Sequence, residues 1–472
     1  MAGKDTRKGA CSMTATAPMP VRNLNLVAPL PHKGTAMRTT ETAAPVQARS
    51  GAVSLLVGSD LRQGDVDSAN TRRLPAATPG TRTSTTATRT TTTRSSRRGP
   101  APSADTDFSF SALVQAYLDC RRNKRNTASA LAFEAHLEPN LCALYEELAS
   151  GEYSPGRSIC FVITRPKPRE VWAADFRDRI VHHLLYNHVA ERFHRSFDVG
   201  SCACIPGRGT LYAARRLEAS VRSITQNWSR PAHYLKCDLA NFFVAIDKHV
   251  LFERLAAKIT EPWWRWLAGV ILFHDPRQQV EVRGRAERLA QVPPHKSLFN
   301  APSDTGLPIG NLSSQFFANV LLDVLDQFVK HRIGAPHYVR YVDDFLLLHE
   351  SPQWLNAAHG RIREFLPERL HARLNDSKTI LQPAARGIDF VGHVVRPWRR
   401  TTRPRTVAAA LHRLEGMRAD DVHRAGNSYL GLVRQASHGH HEQAAIARAL
   451  MKRGLAVDGD LSRAFAPASR GG

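Results

Sequence analysis

From residue 108 onward the apolar positions fall into two spacings. Phe110, Leu113, Val114, Tyr117 and Leu118 recur at helical spacing and predict a helix, closed by a basic turn, Arg121 to Arg125. A second helix is expected over Ser129 to Ala149. Ile159 to Thr164 reads as a strand ending in a proline-stiffened turn with Arg165, Lys167 and Arg169, before a long helix that carries Arg177 and Arg179. Tyr234, Leu235 and Cys237 suit a buried strand that ends on a charge, Asp238. Phe242 and Phe243 then open a helix running through Val250 and Leu255. Phe316, Phe317, Val320, Leu321, Val324, Leu325 and Phe328 form the apolar face of another helix. The stretch from His337 to His349 reads as strand, tight turn and returning strand, with Asp343 and Asp344 at the turn. Val407, Leu411 and Leu414 return to helical spacing.

Residues 1 to about 105 depart from both patterns. They are rich in Ala, Thr, Ser, Pro and Arg, poor in aromatics, and include a repeat-like tract from Thr81 to Arg94. Such a segment buries too little apolar surface to offset its ordering entropy, so a disordered, basic, low-complexity tail is expected. Its composition leaves a transit peptide, a nucleic-acid-binding arm and an early start codon open.

At 472 residues with 42% hydrophobic content, the chain has room for two to four domains and an ample core. A formal net charge of +23 points to a polyanionic partner such as nucleic acid, with anionic membrane as the competitor. No apolar run has the length of a spanning helix, so no membrane partner is expected. The seven cysteines lack paired C-x-x-C spacing, which argues for reduced, mostly buried thiols in a cytosol.

Candidate chemistry lies at the ends and turns of these elements. Asp238 is an unpaired carboxylate at a buried strand end and wants a cation. Asp343 and Asp344 read either as a solvated acidic turn or as half of a metal site. Cations on the rigid turn around Lys167 and Arg169 suit phosphate, as does Arg208 between Gly207 and Gly209 ahead of a helix; each also reads as a solvated loop. His182 and His183 are adjacent and cannot form a metal pair one helical turn apart, so core or surface roles are expected. For His438, His440 and His441 a flexible loop is favoured over a metal site. A strand-end Asp and a hairpin Asp are together sufficient for a two-metal nucleotidyl-transfer site, because magnesium takes few protein carboxylates and fills its shell with water and substrate phosphate.

In order along the chain stand Pro166-Lys-Pro-Arg-Glu, Phe176-Arg-Asp-Arg-Ile-Val-His-His, Ser201-Cys-Ala-Cys with Gly207-Arg-Gly-Thr, and Lys236-Cys-Asp-Leu-Ala-Asn-Phe-Phe. Then follow Lys296-Ser-Leu-Phe, Gly306-Leu-Pro-Ile-Gly-Asn-Leu-Ser-Ser-Gln, Tyr341-Val-Asp-Asp, Ser377-Lys-Thr and Gly387-Ile-Asp-Phe-Val-Gly. With these blocks the chain resembles bacterial reverse transcriptases over roughly Phe108 to Tyr429. Ile309-Gly310-Asn311 followed by Ser314-Gln315 looks most like the form seen in diversity-generating retroelements; group II intron and retron enzymes usually have Gln before that Gly. A retron-like or phage-defence enzyme is the second choice within the family, and a non-catalytic nucleic-acid-binding protein with a polymerase fold is the rival from another class.

The resemblance implies an α+β right-hand polymerase with fingers, a palm of antiparallel sheet packed on helices, and a helical thumb. It implies N-terminal helices and fingers over residues 106–235, a palm over 236–395 with a finger insertion at about 265–305, and a basic helical thumb and C-terminal tail over 396–472. Arg396, Arg399, Arg400, Arg403 and Arg405 would track a duplex backbone. By the same resemblance Asp238, Asp343 and Asp344 would be catalytic, with Asp238 and Asp343 the direct ligands of two magnesium ions, or manganese in their place, and Asp344 supporting. Lys167 and Arg169 would hold the triphosphate, Lys378 would neutralise the leaving pyrophosphate, and Phe243 would exclude the ribose 2′-hydroxyl. Ile309, with Gly310 and Gln315, would lie against the template–nucleotide pair, an apolar residue at Ile309 being associated with error-prone copying. Implied partners are template RNA, cDNA product, deoxynucleoside triphosphates and a small basic helical accessory protein, in a bacterial or phage-encoded, cytoplasmic setting. Departures from the family pattern are Ala240, Ile205 and the long N-terminal tail.

Overall fold

The computed structural model describes residues 108–122, 127–164 and 167–465. The tail expected over residues 1–105, the middle of the basic turn at 123–126, Arg165 and Pro166, and residues 466–472 lie outside the described residues. The chain opens with helices α1 (Phe110–Arg121), α2 (Ala128–Glu134) and α3 (Leu137–Ser150). Ser109 caps α1, its Oγ accepting from the Ala112 N–H at 3.2 Å. The single helix expected over Ser129 to Ala149 is therefore two. Pro139 has no N–H to give and its ring would clash with the Ala135 carbonyl, so the helix stops and restarts with Pro139 in the new first turn.

Strand β1 (Ser158–Ile163) pairs antiparallel with β2 (Arg169–Ala174), a strand the hydrophobic pattern did not separate from the helix behind it. Asp175 ends β2 and caps α4 (Phe176–His194), its Oδ1 accepting from the Phe176 N–H at 2.5 Å. Next come α5 (Thr210–Ile224), β3 (His233–Asp238), α6 (Phe242–Ala245), α7 (Lys248–Ala256) and α8 (Pro262–Phe273). The helix expected from Phe242 through Leu255 breaks at Ile246, and Asp247 starts α7 afresh, accepting from the His249 and Val250 amides at 2.8 and 3.0 Å. Strand β4 (Val280–Arg283) then returns to pair parallel with β1, giving the three-stranded sheet β2-β1-β4.

After α9 (Ala286–Leu289) and α10 (Leu312–Gln327), β5 (Tyr338–Tyr341) and β6 (Asp344–His349) form the expected hairpin. Helix α11 (Pro352–Leu370) leads to β7 (Ile380–Pro383), completing an antiparallel sheet in the order β5-β6-β3-β7. The apolar run Phe345 to Leu348 is wholly buried because this sheet is covered on both faces. Phe345 and Leu347 join a helical core that includes residues of α4, α7, α10 and α11, whereas Leu346 and Leu348 point to α5 and the segment after β7. Each such side chain contributes about 1.5–3 kcal/mol by burial, so a one-residue slip of β6 would exchange its two buried sets.

Past β7, strands β8 (Ile388–Phe390), β9 (His393–Arg396) and β10 (Arg399–Thr402) form a small antiparallel sheet against that second face. Helices α12 (Pro404–Gly416), α13 (Ala419–Val433) and α14 (His440–Lys452) make a separate apolar cluster around Leu414, Leu430, Val433, Ile446 and Leu450, closed by the ribbon of β11 (Ala456–Val457) and β12 (Ala464–Phe465). His440 and His441 open α14 instead of lying in a loop, and His438 bonds Ser437 at 3.0 Å. Among the described residues no helix is long and apolar enough to cross a membrane, and all six cysteines are free thiols. Burial pushes the Cys160, Cys202 and Cys237 thiols up to about 12.

Candidate active site

The register of β3 against β6 sets Asp238 directly opposite Asp344, and Tyr341 is paired to Asp344 on the other side. The chain turns between β5 and β6 with only Val342 and Asp343. Three carboxylates thus meet at one edge of the palm sheet, drawn from positions about a hundred residues apart. Asp238 is almost fully buried, at 5% exposure. Its Oδ1 accepts from Lys378 Nζ at 2.5 Å and from Asn375 Nδ2 at 3.1 Å, and its carbonyl accepts from the Asn375 amide at 2.8 Å. Lys378, on a short 3-10 turn after α11, is therefore delivered to the first carboxylate by backbone pairing, not by chance contact of two long side chains.

The remaining charge is poorly compensated. Burial, then repulsion from Asp238 and Asp344, pushes the Asp343 carboxyl up to about 6, and Arg169 pulls weakly the other way. Burial also raises Asp344, with Lys236 opposing it and Asp238 adding to it. Like charges held together in a partly dry site favour either a proton or a cation. The donor set is all oxygen, as hard divalent ions prefer. Among the described residues no group of three or more His, Cys, Asp or Glu side chains is arranged to hold a metal ion.

The hairpin tip is held from beneath. Arg340 on β5 is fully buried, as is Asp326 on α10, and they form a bidentate pair at 2.6 and 2.7 Å. The remaining guanidinium protons go to Asn319 Oδ1 at 3.1 Å, Ser201 Oγ at 2.6 Å and the Val342 carbonyl at 3.1 Å. Tyr338 donates to Asp326 Oδ1 at 2.7 Å. Every partner is satisfied, and the contact to Val342 fixes a β-branched residue at φ 56°, a conformation that costs about 1–3 kcal/mol. Sequence reasoning missed Arg340. Its signal was available: a charge inside a strand of otherwise apolar residues, three positions before Asp343, needs a buried counter-charge.

The glycine-punctuated loop ahead of α10 is clamped between the α6 segment and β2. The Gly306 and Leu307 amides donate to the Ile246 and Phe243 carbonyls, both at 2.8 Å. The Trp172 amide on β2 donates to the Ile309 carbonyl at 2.7 Å, and the Ala174 amide to Asn311 Oδ1 at 3.1 Å. Gly310 sits at φ 131°, and a Cβ there would lie 2.7 Å from the Trp172 carbonyl, so no other residue fits. Ile309 and Gln315 are half-buried, and Phe243 is half-buried with its ring edge-on to Phe242 at 5.4 Å. Lys167 and Arg169 are exposed at the start of β2 and form no ion pair among the described residues.

Two helix arginines are structural, and one other basic candidate is corrected. Arg177 is spent on Glu147 and Asp178, and Arg179 donates to the Ala174 carbonyl at 2.7 Å, so both brace α4 against its surroundings. Arg208 turns inward to the Asp198 and Ser201 carbonyls, both at 2.6 Å, which leaves the Gly207–Gly209 loop without a free cation. His182 is a core histidine touching Ser313 at 3.3 Å, and burial lowers it to about 3.

A two-sided antiparallel palm, a smaller finger sheet, a helical thumb-like cluster and carboxylates at the strand edge define a right-hand polymerase fold. Residues 167–395, just under half of the chain, match the family described as reverse transcriptase (RNA-dependent DNA polymerase). These matched residues are those of a reverse transcriptase (RNA-dependent DNA polymerase) domain, and they include Asp238, Asp343 and Asp344. A curated relative, Protein YkfC of Escherichia coli (strain K12), is 23% identical over 294 residues, covering 55% of this chain and 72% of the relative. Solved structures matched include a telomerase from Candida albicans with a fragment of telomeric RNA, at 13% identity, TM-score 0.39, 62% of this chain and 55% of that one. An apo telomerase from Candida tropicalis matches at 13% identity, TM-score 0.37, 52% of this chain and 54% of that one. The chain spans about half the length of those two telomerase chains.

Proposed function

We propose that this protein copies RNA into complementary DNA from deoxynucleoside triphosphates, by two-metal nucleotidyl transfer, as an error-prone retroelement enzyme. The observation that carries the reading is the strand register that sets Asp238 against Asp344 and leaves Asp343 crowded at the turn. A protein that only bound nucleic acid would gain nothing from clustered carboxylates that repel phosphate.

Asp238 and Asp343 would be the direct ligands, with Asp344 supporting, for magnesium or in its place manganese. When bound, such ions lower the pKa of the attacking 3′-hydroxyl and stabilise the leaving pyrophosphate. The chain's own residues do the rest. Lys167 and Arg169, exposed and free of ion pairs among the described residues, neutralise the triphosphate as it seats between fingers and palm. Lys378, paired with Asp238 at the carboxylate edge, would neutralise the leaving pyrophosphate. Phe243, in α6 just after β3, would exclude the 2′-hydroxyl. Gly310 lets the loop lie against β2, and on this reading Ile309 and Gln315 would lie beside the template–nucleotide pair.

The same reading divides the chain into helices and fingers at 106–235, palm at 236–395 and thumb at 396–472, and includes a small basic helical accessory protein and cytoplasmic action among its proposals. Purified protein given a primed RNA template, magnesium and deoxynucleotides is expected to extend the primer, and Asp343→Ala/Asp344→Ala is expected not to. No magnesium-dependent product from the wild type would favour the binding-protein rival.

A further inference from the structure

A concavity of about 650 Å³ opens on the surface between three turns, with Arg386, Arg396, Pro397, Trp398, Arg399 and His438 in its lining. Its place follows from strand registers. Asp238 ends β3 at the carboxylate edge, and Pro383 of β7 is paired with His233 at the other end, about 17 Å of strand away. The Ala384–Arg386 turn continues from that far end. Lys236 donates to the Asp389 carbonyl at 3.1 Å and lies over the Phe390 ring, so the β8–β9 tip faces the carboxylates. The β9–β10 turn, Pro397 and Trp398, is then at the opposite end of its sheet, beside Arg386. The concavity is outside the polymerase site.

Its chemistry is one-sided. No carboxylate is in the lining. Neighbouring Arg400 and Arg403 are taken up by Glu218 and Asp389, whereas Arg386, Arg396 and Arg399 form no ion pair among the described residues. Gly387 leaves room for the Arg396 side chain, whose Cγ lies 2.9 Å from where a Cβ would stand. Among these cations Trp398 presents its indole at 58% exposure, from a backbone φ of 64° that a non-glycine residue adopts only at a cost.

We infer that this concavity is a second nucleic-acid site, which takes a single strand by stacking one base on Trp398 and pairing the adjoining phosphates with Arg386, Arg396 and Arg399. Free guanidiniums around an exposed indole supply the backbone and the stacking contacts that sequence-tolerant single-strand sites combine. A duplex would offer only phosphates and leave the ring idle. An acidic peptide would do the same. Template RNA upstream of the copied stretch and displaced product DNA share the chemistry required. The inference stands apart from the polymerase reading, since binding needs no nucleotide addition.

Full-length protein is titrated into fluorescent single-stranded RNA, DNA and a base-free sugar-phosphate oligomer, with no nucleoside triphosphate present. In parallel, 5-bromouridine RNA is photo-crosslinked and the adducts are mapped by peptide mass. The expected result is crosslinks within the peptide containing Trp398, and about a tenfold affinity loss in Trp398→Ala for strands with bases but none for the base-free oligomer. Trp398→Phe should retain most of the affinity, and replacing the three arginines by alanine should reduce the salt slope by about 2. The stronger of RNA and DNA names the source of the strand. Crosslinks confined to other segments would overturn the inference. So would equal loss by Trp398→Ala on the base-free oligomer, loss in Trp398→Phe as large as in Trp398→Ala, or full competition by polyglutamate.

Discussion

The hairpins β5–β6 and β9–β10 have the same construction and opposite charge. Each turns on two residues with a bulky one at positive φ, Val342 at 56° and Trp398 at 64°. Each rests on a buried arginine held by a carboxylate on a helix, Arg340 on Asp326 and Arg400 on Glu218. Above those pairs the tips diverge: one carries crowded carboxylates, the other an exposed indole amid free arginines. The difference teaches that burial and pairing separate structural from functional charge. Arg340 and Arg400 hold the turns, and the charges left uncompensated at the tips are those the proposals assign to metal and nucleic acid.

The comparison breaks most visibly at the acidic tip. Asp238→Asn is expected to reduce primer extension by at least about a thousandfold while leaving single-strand affinity within about twofold, measured by extension and by RNA titration. Equal loss of both would merge the two sites into one.

Next in size is the pair beneath that tip. Arg340→Met strands the buried Asp326 carboxylate, and unfolding by denaturant should show a loss of about 3–5 kcal/mol. Arg340→Met/Asp326→Leu should regain most of that stability yet remain about 10- to 100-fold slow in turnover, because the Val342 carbonyl has lost its anchor. Recovery of turnover together with stability would make Arg340 a packing residue only.

The crowding itself has a pH signature. Asp343 has a folded pKa of about 6, above its ordinary 3.8, so the folded state binds the proton more tightly than the unfolded one. Stability from this group is complete below about pH 4 and is lost as pH rises through 6, by about 3 kcal/mol. In chelator, Asp343→Asn should therefore melt a few degrees higher than wild type at pH 7 and no higher at pH 4. A constant gap across that range would remove charge repulsion as its cause.

The smallest effect concerns fidelity. Ile309→Gln is expected to lower misincorporation several-fold on one RNA template, chiefly opposite adenine, read by sequencing the cDNA; an unchanged error spectrum would detach Ile309 from the template–nucleotide pair.

Much of the carboxylate site was legible because strand ends, turns and paired acids are local signals. Asp238, Asp343 and Asp344 stood out from residue order alone, and the strand register brought them together. The arginines were not legible in that way. Arg396, Arg399, Arg400, Arg403 and Arg405 look alike in sequence, yet Glu218 and Asp389 claim two of them. Those partners come from elements far away in the chain, so only the fold shows which cations are free. Arg208 was misjudged for the same reason. Strand β2 was hidden by a different effect: Glu170 and the small Ala173 and Ala174 suit a helix, and pairing with β1 overrides that preference. Pro139 was a visible break in a helix whose apolar spacing continued past it.

The central claim is that the carboxylates at the β5–β6 tip make DNA on an RNA template. The direct measurement is extension of a labelled primer on RNA by purified protein, with deoxynucleotides against ribonucleotides, magnesium against chelator, and wild type against Asp343→Asn. A deoxynucleotide-dependent ladder seen only for wild type with magnesium is the predicted result. A ladder that persists in Asp343→Asn, or none from the wild type in any lane, would contradict it.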